Sequence, residues 1–109
     1  MGVNKVILLG HLGKKPELLE SETGKMARFT LATNEDYVDR KDGNKKEKVE
    51  WHNVVAFSGR AEACAKYLKK GSQVYIEGRN ATRSYQKDGQ THYITEVQVN
   101  AVQFLDNKD

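Results

Sequence analysis

Alternation with a period of two runs through most of this chain, and it restricts the fold more than any other feature. Ala27, Phe29 and Leu31 are separated by Arg28, Thr30 and Ala32. Trp51, Asn53, Val55 and Phe57 interleave with His52, Val54 and Ala56. Gln73, Tyr75 and Glu77 flank Val74 and Ile76. Tyr93, Thr95, Val97 and Val99 alternate with Ile94, Glu96 and Gln98, and after a phase break near Asn100 the pattern resumes at Val102 and Phe104. Residues 3–12 add a β-rich stretch with an apolar run from Val6 to Leu9. Successive side chains of a strand point to opposite faces, so each stretch reads as a strand with two chemically different sides.

Turn signals divide these strands. Thr23-Gly24, Asp42-Gly43-Asn44 and Asp88-Gly89 each lie between strand candidates. Asp42-Gly43 sits in a polar stretch, 34–50, that reads either as a solvated loop or as a protruding hairpin arm. One helix interrupts the strands. Ala61, Cys64, Ala65 and Leu68 recur at i, i+3, i+4 and i+7 and make one apolar face. Ser58 is expected to cap its start, and Gly71 to end it after Lys69 and Lys70. Three strands, one helix and two strands in this length is the order of an all-β OB-fold, a five-stranded Greek-key β-barrel, here with a protruding β-hairpin. The domain is expected over residues 1–106, with 107–109 a short end.

Composition excludes several function classes. With 38% hydrophobic and 30% charged residues in 109, the chain is long enough to bury a core without disulfides or a structural metal. The one cysteine, Cys64, lies among alanines on the helix face and reads as a buried, inert thiol rather than a nucleophile. The start lacks a basic n-region, and the run from Val6 to Leu9 is far too short for a signal peptide or a membrane span. A cytoplasmic protein is expected. His11, His52 and His92 lack metal-ligand spacing, and no phosphate-binding glycine loop opens a helix, so no enzyme, cofactor or metal site is expected. Glu35, Asp36 and Asp39 sit in a charge-mixed stretch and read as solvated surface.

The net charge of +3 permits a polyanionic partner without demanding one, so the placement of charge matters more than its sum. Trp51 and Phe57 share one side of a strand. They are either core residues or an exposed platform on which bases of any identity stack. Tyr37 and Tyr85 lie outside apolar clusters and beside cations: Arg40 and Lys41 follow Tyr37, Arg83 precedes Tyr85 by two, and Lys45, Lys46 and Lys48 precede Trp51. Interleaved cations and aromatics are what a groove needs to follow phosphates and stack bases. Arg28, Arg60, Lys70, Arg79 and Arg83, on or beside predicted strands, are the better candidates for phosphate contact. Lys25, Lys66 and Lys108 read as solvated surface.

The segments GVNKVILLGHLG at 2–13, FTLAT at 29–33, EWHNVVAF at 50–57, AEACAKYLKKGSQVYIEG at 61–78 and YITEVQV at 93–99 resemble the bacterial single-stranded DNA-binding protein (SSB) family. The resemblance covers the whole DNA-binding domain. It implies an OB fold, a homotetramer, and single-stranded DNA bound without chemical reaction in replication, recombination and repair. It places Trp51 and Phe57 at stacking positions, and Tyr37 and Tyr85 where well-known members carry tryptophan. Lys5, Lys70 and Arg83 match basic positions implicated in DNA contact. Asn53 stands where a basic residue is common, and Arg60 is shifted by one from a usual lysine. His52 matches a position linked to subunit contacts, although on the residues alone it reads as a barrel-facing or hydrogen-bonded histidine. Family members commonly continue into a linker and an acidic tip that recruits other proteins. This sequence stops at Asp109, so tail-mediated replication and repair partners are not expected of it. An OB module that binds protein, or one that binds RNA, fits the same pattern.

Overall fold

The computed structural model describes residues 2–105. The expected short end at 107–109, with Lys108, lies outside the described residues. The elements in chain order are β1 Val6–Leu12, β2 Glu17–Ser21, β3 Gly24–Asn34, β4 Tyr37–Val38, β5 Lys45–Lys46, β6 Val49–Phe57, α1 Ser58–Tyr67, β7 Gln73–Lys87 and β8 Gln90–Phe104. The main sheet runs β2-β3-β6-β8-β7-β1, and β1 pairs again with β3 through His11 and Leu12. The ladder therefore returns to its start. β1, β3, β6, β7 and β8 are the five strands of the OB fold, with α1 between the third and fourth.

Alternation decides what fills the middle. Ala27, Phe29 and Leu31 of β3 point inward with Val54 and Ala56 of β6, Leu8 and Leu12 of β1, Val74 and Ile76 of β7, and Val97 and Val99 of β8. The helix closes one end with Ala61 and Cys64, and Leu68 just beyond it joins the same core. The phase break near Asn100 is a β-bulge. Glu77 pairs with Ala101 and Gly78 with Val99, so Asn100 has no partner and Val102 returns to the core side.

Three expectations about element ends change. Ser58 is the first helical residue with φ +56°, the residue before the helix is extended Phe57, and no side chain caps the N-terminus. Leu68, not Gly71, ends the helix by turning extended while its N–H still reaches the Cys64 carbonyl at 3.0 Å. Gly71, at φ +87°, serves the turn into β7, where its N–H donates to the Leu12 carbonyl. Residues 3–5, expected at the start of the first strand, precede it.

One strand lies outside the sequence reading, and one of its open choices is decided. β2 pairs along β3 from Glu17–Arg28 to Ser21–Gly24, but its residues are largely exposed, so selection for alternation is weak there. The polar stretch is a hairpin arm: Tyr37 pairs with Lys46 and Val38 with Lys45, in a sheet of their own. Its turn is held by Asp42, whose carboxylate accepts the Asn44 N–H at 2.9 Å and lies 3.2 Å from Lys46 Nζ. The first of these bonds, then the second, lower the Asp42 carboxyl below its ordinary range.

Burial pushes the Cys64 thiol up to about 11. At pH 8 only about one molecule in a thousand then carries the reactive thiolate. Cys64 is expected to resist a chromogenic disulfide reagent in the folded protein and to react at once in denaturant. Fast stoichiometric reaction of the native protein would contradict this packing.

Candidate nucleic-acid interface

The register of the ladder shows which side chains share the outer face. Across β3 and β6, Met26 lies opposite Phe57, Arg28 opposite Val55, Thr30 opposite Asn53 and Ala32 opposite Trp51. Val55 in turn pairs with Gln98 of β8. Across β8 and β7, Gln98 lies opposite Arg79, Glu96 opposite Ala81, Ile94 opposite Arg83 and His92 opposite Tyr85. Trp51, Phe57, Arg28, Arg79, Arg83 and Tyr85 thus stand on one continuous outer surface.

Of the two readings left open for Trp51 and Phe57, the platform is the one with room. Trp51 is 57% exposed and Phe57 43%, while Val54 and Ala56 between them are buried. The indole also has a defined seat. A Cβ at Gly13 would stand 2.5 Å from Cζ3 and 2.8 Å from Cη2 of Trp51, so only glycine lets the ring lie this close to the backbone after β1. Gly13 is itself fixed, its N–H donating to the Thr30 carbonyl at 3.1 Å.

Beside these aromatics runs a groove lined by Lys14, Lys15, Arg28, Thr30, Asn53 and Glu96, among others. The arginines in and around it are held by polar neighbours. Arg83 Nε donates to Glu96 Oε1 at 2.8 Å, and the second guanidinium nitrogen reaches Oε2 at 3.4 Å. Glu96 is buried while Arg83 is exposed, so the carboxylate fixes the guanidinium and leaves its outer N–H groups to solvent. Those bonds, and the attraction behind them, raise the Arg83 pKa above its ordinary value. Arg28 lies 3.7 Å from Glu17. Arg79 donates to Gln98 at 2.9 Å.

Other expected residues lie off these strands. Tyr37 is half exposed on the arm, directly opposite Lys46. Lys5 precedes β1 and pairs with Glu77 at 3.5 Å. Arg60 is exposed in the first turn of α1. Lys70 lies in the turn that Gly71 ties to Leu12, one residue from the seat of Trp51. His52 is half-buried on the barrel-facing side, with Nε2 2.9 Å from Thr33 Oγ1. Lys25 is held by Glu62 and Glu20, and those partners, Glu62 first, raise its pKa. Lys66 rests over the Tyr67 ring. Among the described residues no group of three His, Cys, Asp or Glu side chains is placed to hold a metal ion, and no helix is long and apolar enough to cross a membrane.

Sequence reasoning missed Lys14, Lys15, Gly13, Glu96 and His92 as members of this surface. Parity along the last strand, which already paired Ile94 with Glu96, carried the signal for the last two. Gly13 and the lysines after it depend on a turn that places them against a distant strand.

The chain matches the single-strand binding protein family over residues 3–105. It is 49% identical over 111 residues to single-stranded DNA-binding protein 1 of Chlorobaculum tepidum, across 99% of this chain and 68% of that protein. Among solved structures it is similar to an SSB of Plasmodium falciparum in complex with single-stranded DNA, at 35% identity and a TM-score of 0.88 over 97% of each chain.

Gly13→Ala is expected to push the indole off its seat while leaving the barrel folded. The Trp51 emission maximum should shift to longer wavelength, and affinity for oligo-dT should fall several-fold. An unchanged spectrum and unchanged affinity would show that the seat has no role.

Proposed function

The chain belongs to the single-strand binding protein family, and on that premise we propose that it binds single-stranded DNA without reading its sequence, by stacking bases on the outer face of its barrel. The observation that carries this reading is the exposure of Trp51 and Phe57 on a strand whose other side is core. A large aromatic left in water on a rigid strand costs solvation and offers a flat π surface to any base. Tyr85 on β7 and Tyr37 on the arm extend the track. Arg28, Arg79 and Arg83 stand beside the rings to take phosphates, with Lys5, Arg60 and Lys70 contributing at its margins. The acid partners of Arg28 and Arg83 position these groups and moderate the field, which suits a binder that must release its strand.

The wider role is protection of single strands in replication, recombination and repair, by binding alone and with no chemical step, in the cytoplasm and on the nucleoid. The working form is a homotetramer. Self-association is supported by β1, where Ile7 and Leu9 face outward and exposed. β1 also pairs only with β7 along Val6–Gly10 among the described residues, which leaves its other edge open to a second copy. His52, near one end of the barrel, is assigned to subunit contact.

Oligo-dT should quench Trp51 fluorescence, and duplex DNA should bind weakly. Trp51→Ala and Phe57→Ala should each weaken oligo-dT binding by about 1–3 kcal/mol. The logarithm of affinity should fall with the logarithm of salt at roughly −0.7 per phosphate neutralised. Binding indifferent both to salt and to loss of Trp51 would overturn the mechanism. Tyr37→Trp, which enlarges a ring with no aromatic neighbour among the described residues, should tighten binding. Oligo-U competing as well as oligo-dT would redirect the reading to RNA.

A further inference from the structure

The β7–β8 hairpin extends past the barrel, and beyond Ala81 its β7 residues are exposed on both faces up to Lys87. At its end, Tyr85 and His92 face each other across the ladder. Their ring centroids are 5.4 Å apart and their planes 23° from parallel, an offset stack. No core lies beneath them, so packing does not account for the pair. The hairpin is also held by other cross-strand contacts. On the opposite face Thr82 and Thr95 hydroxyls meet at 2.8 Å, and Gln86 donates to Thr91 at 2.8 Å. The two-residue turn Asp88-Gly89, both at positive φ, sets the register by itself.

We propose that Tyr85 and His92 form a single composite base-stacking platform, with His92 a DNA-contacting residue in its own right. The inference rests on the proposed function above and deepens it. Because the two rings are stacked, each supports the other and leaves its outer face open for a base to continue the stack. Arg83 and Lys87 precede and follow Tyr85 by two residues on the same side of β7, so a base on the stacked rings has a cation within reach on either hand. Tyr93, far more exposed at 73%, points to the other face, has no ring beside it among the described residues and takes no part.

The experiment titrates fluorescently labelled oligo-dT with the full chain and its variants by anisotropy. Each variant is melted to establish that it folds. His92→Ala should weaken binding roughly three- to tenfold, part of the effect of one lost stack. Tyr85→Trp introduced into His92→Ala should recover most of that loss, because a larger ring restores the stacking area that His92 supplied. His92→Phe should retain more affinity than His92→Ala. A His92→Ala protein that binds within about twofold of the parent, or a double variant that recovers nothing, overturns the platform. Trp51→Ala in the same series separates the two levels: if it weakens binding while His92→Ala does not, only the platform fails. If both bind like the parent, the stacking reading falls with it.

Discussion

Everything in this molecule follows from the two-sidedness of β6. Its inward positions Val54 and Ala56 are small because they lie beside Phe29 and Ala27 of neighbouring β3 and face a narrow interior with no room for an indole. Trp51 and Phe57 alternate with them and are therefore driven outward. The same pleat that excludes water from one side of the strand holds two aromatic rings in water on the other. A rigid core and an exposed binding surface are thus one feature. A register slip of one residue would exchange them and destroy both.

The electrostatics are layered on that scaffold. The arginines on the outer face are not free charges waiting for phosphate. Glu96, buried on β8, holds Arg83, while Glu17 stands near Arg28 and Gln98 accepts from Arg79. Such partners reduce the net field, and they also fix side chains that would otherwise lose rotamer freedom on binding. A guanidinium already bonded on one side presents its remaining donors in a defined direction, which phosphate can meet without displacing the carboxylate. The lysines at 14 and 15 add charge that is less directed.

Much of this was legible in residue order. Parity placed Trp51 and Phe57 on one side of a strand, the i, i+3, i+4, i+7 spacing found α1, and the broken phase at Asn100 was a bulge seen in one dimension. What failed, failed for local reasons. β2 is largely exposed, with only Leu19 half-buried, and carries little alternation. Ser58 looked like a cap by residue type, but the strand runs straight into the helix and leaves it inside the first turn. The Tyr85–His92 pair was recoverable by counting outward from Asp88-Gly89, since a two-residue turn dictates which residues oppose. The seat of Trp51 on Gly13 was not, because it joins the end of the first strand to a strand nearly forty residues later.

The central claim is that bases lie on one face of the barrel and its arm, and not on exposed aromatics in general. The chain contains its own controls, because Tyr67 is as exposed as Trp51 and Tyr93 more so, yet both lie away from that face. Photo-cross-linking to oligo-dT carrying iodinated deoxyuridine, with adducts mapped by mass spectrometry, separates the two groups directly. Adducts at Trp51, Phe57, Tyr37 and Tyr85, and not at Tyr67 or Tyr93, are the predicted result. Adducts concentrated at Tyr67 or Tyr93 would contradict the account.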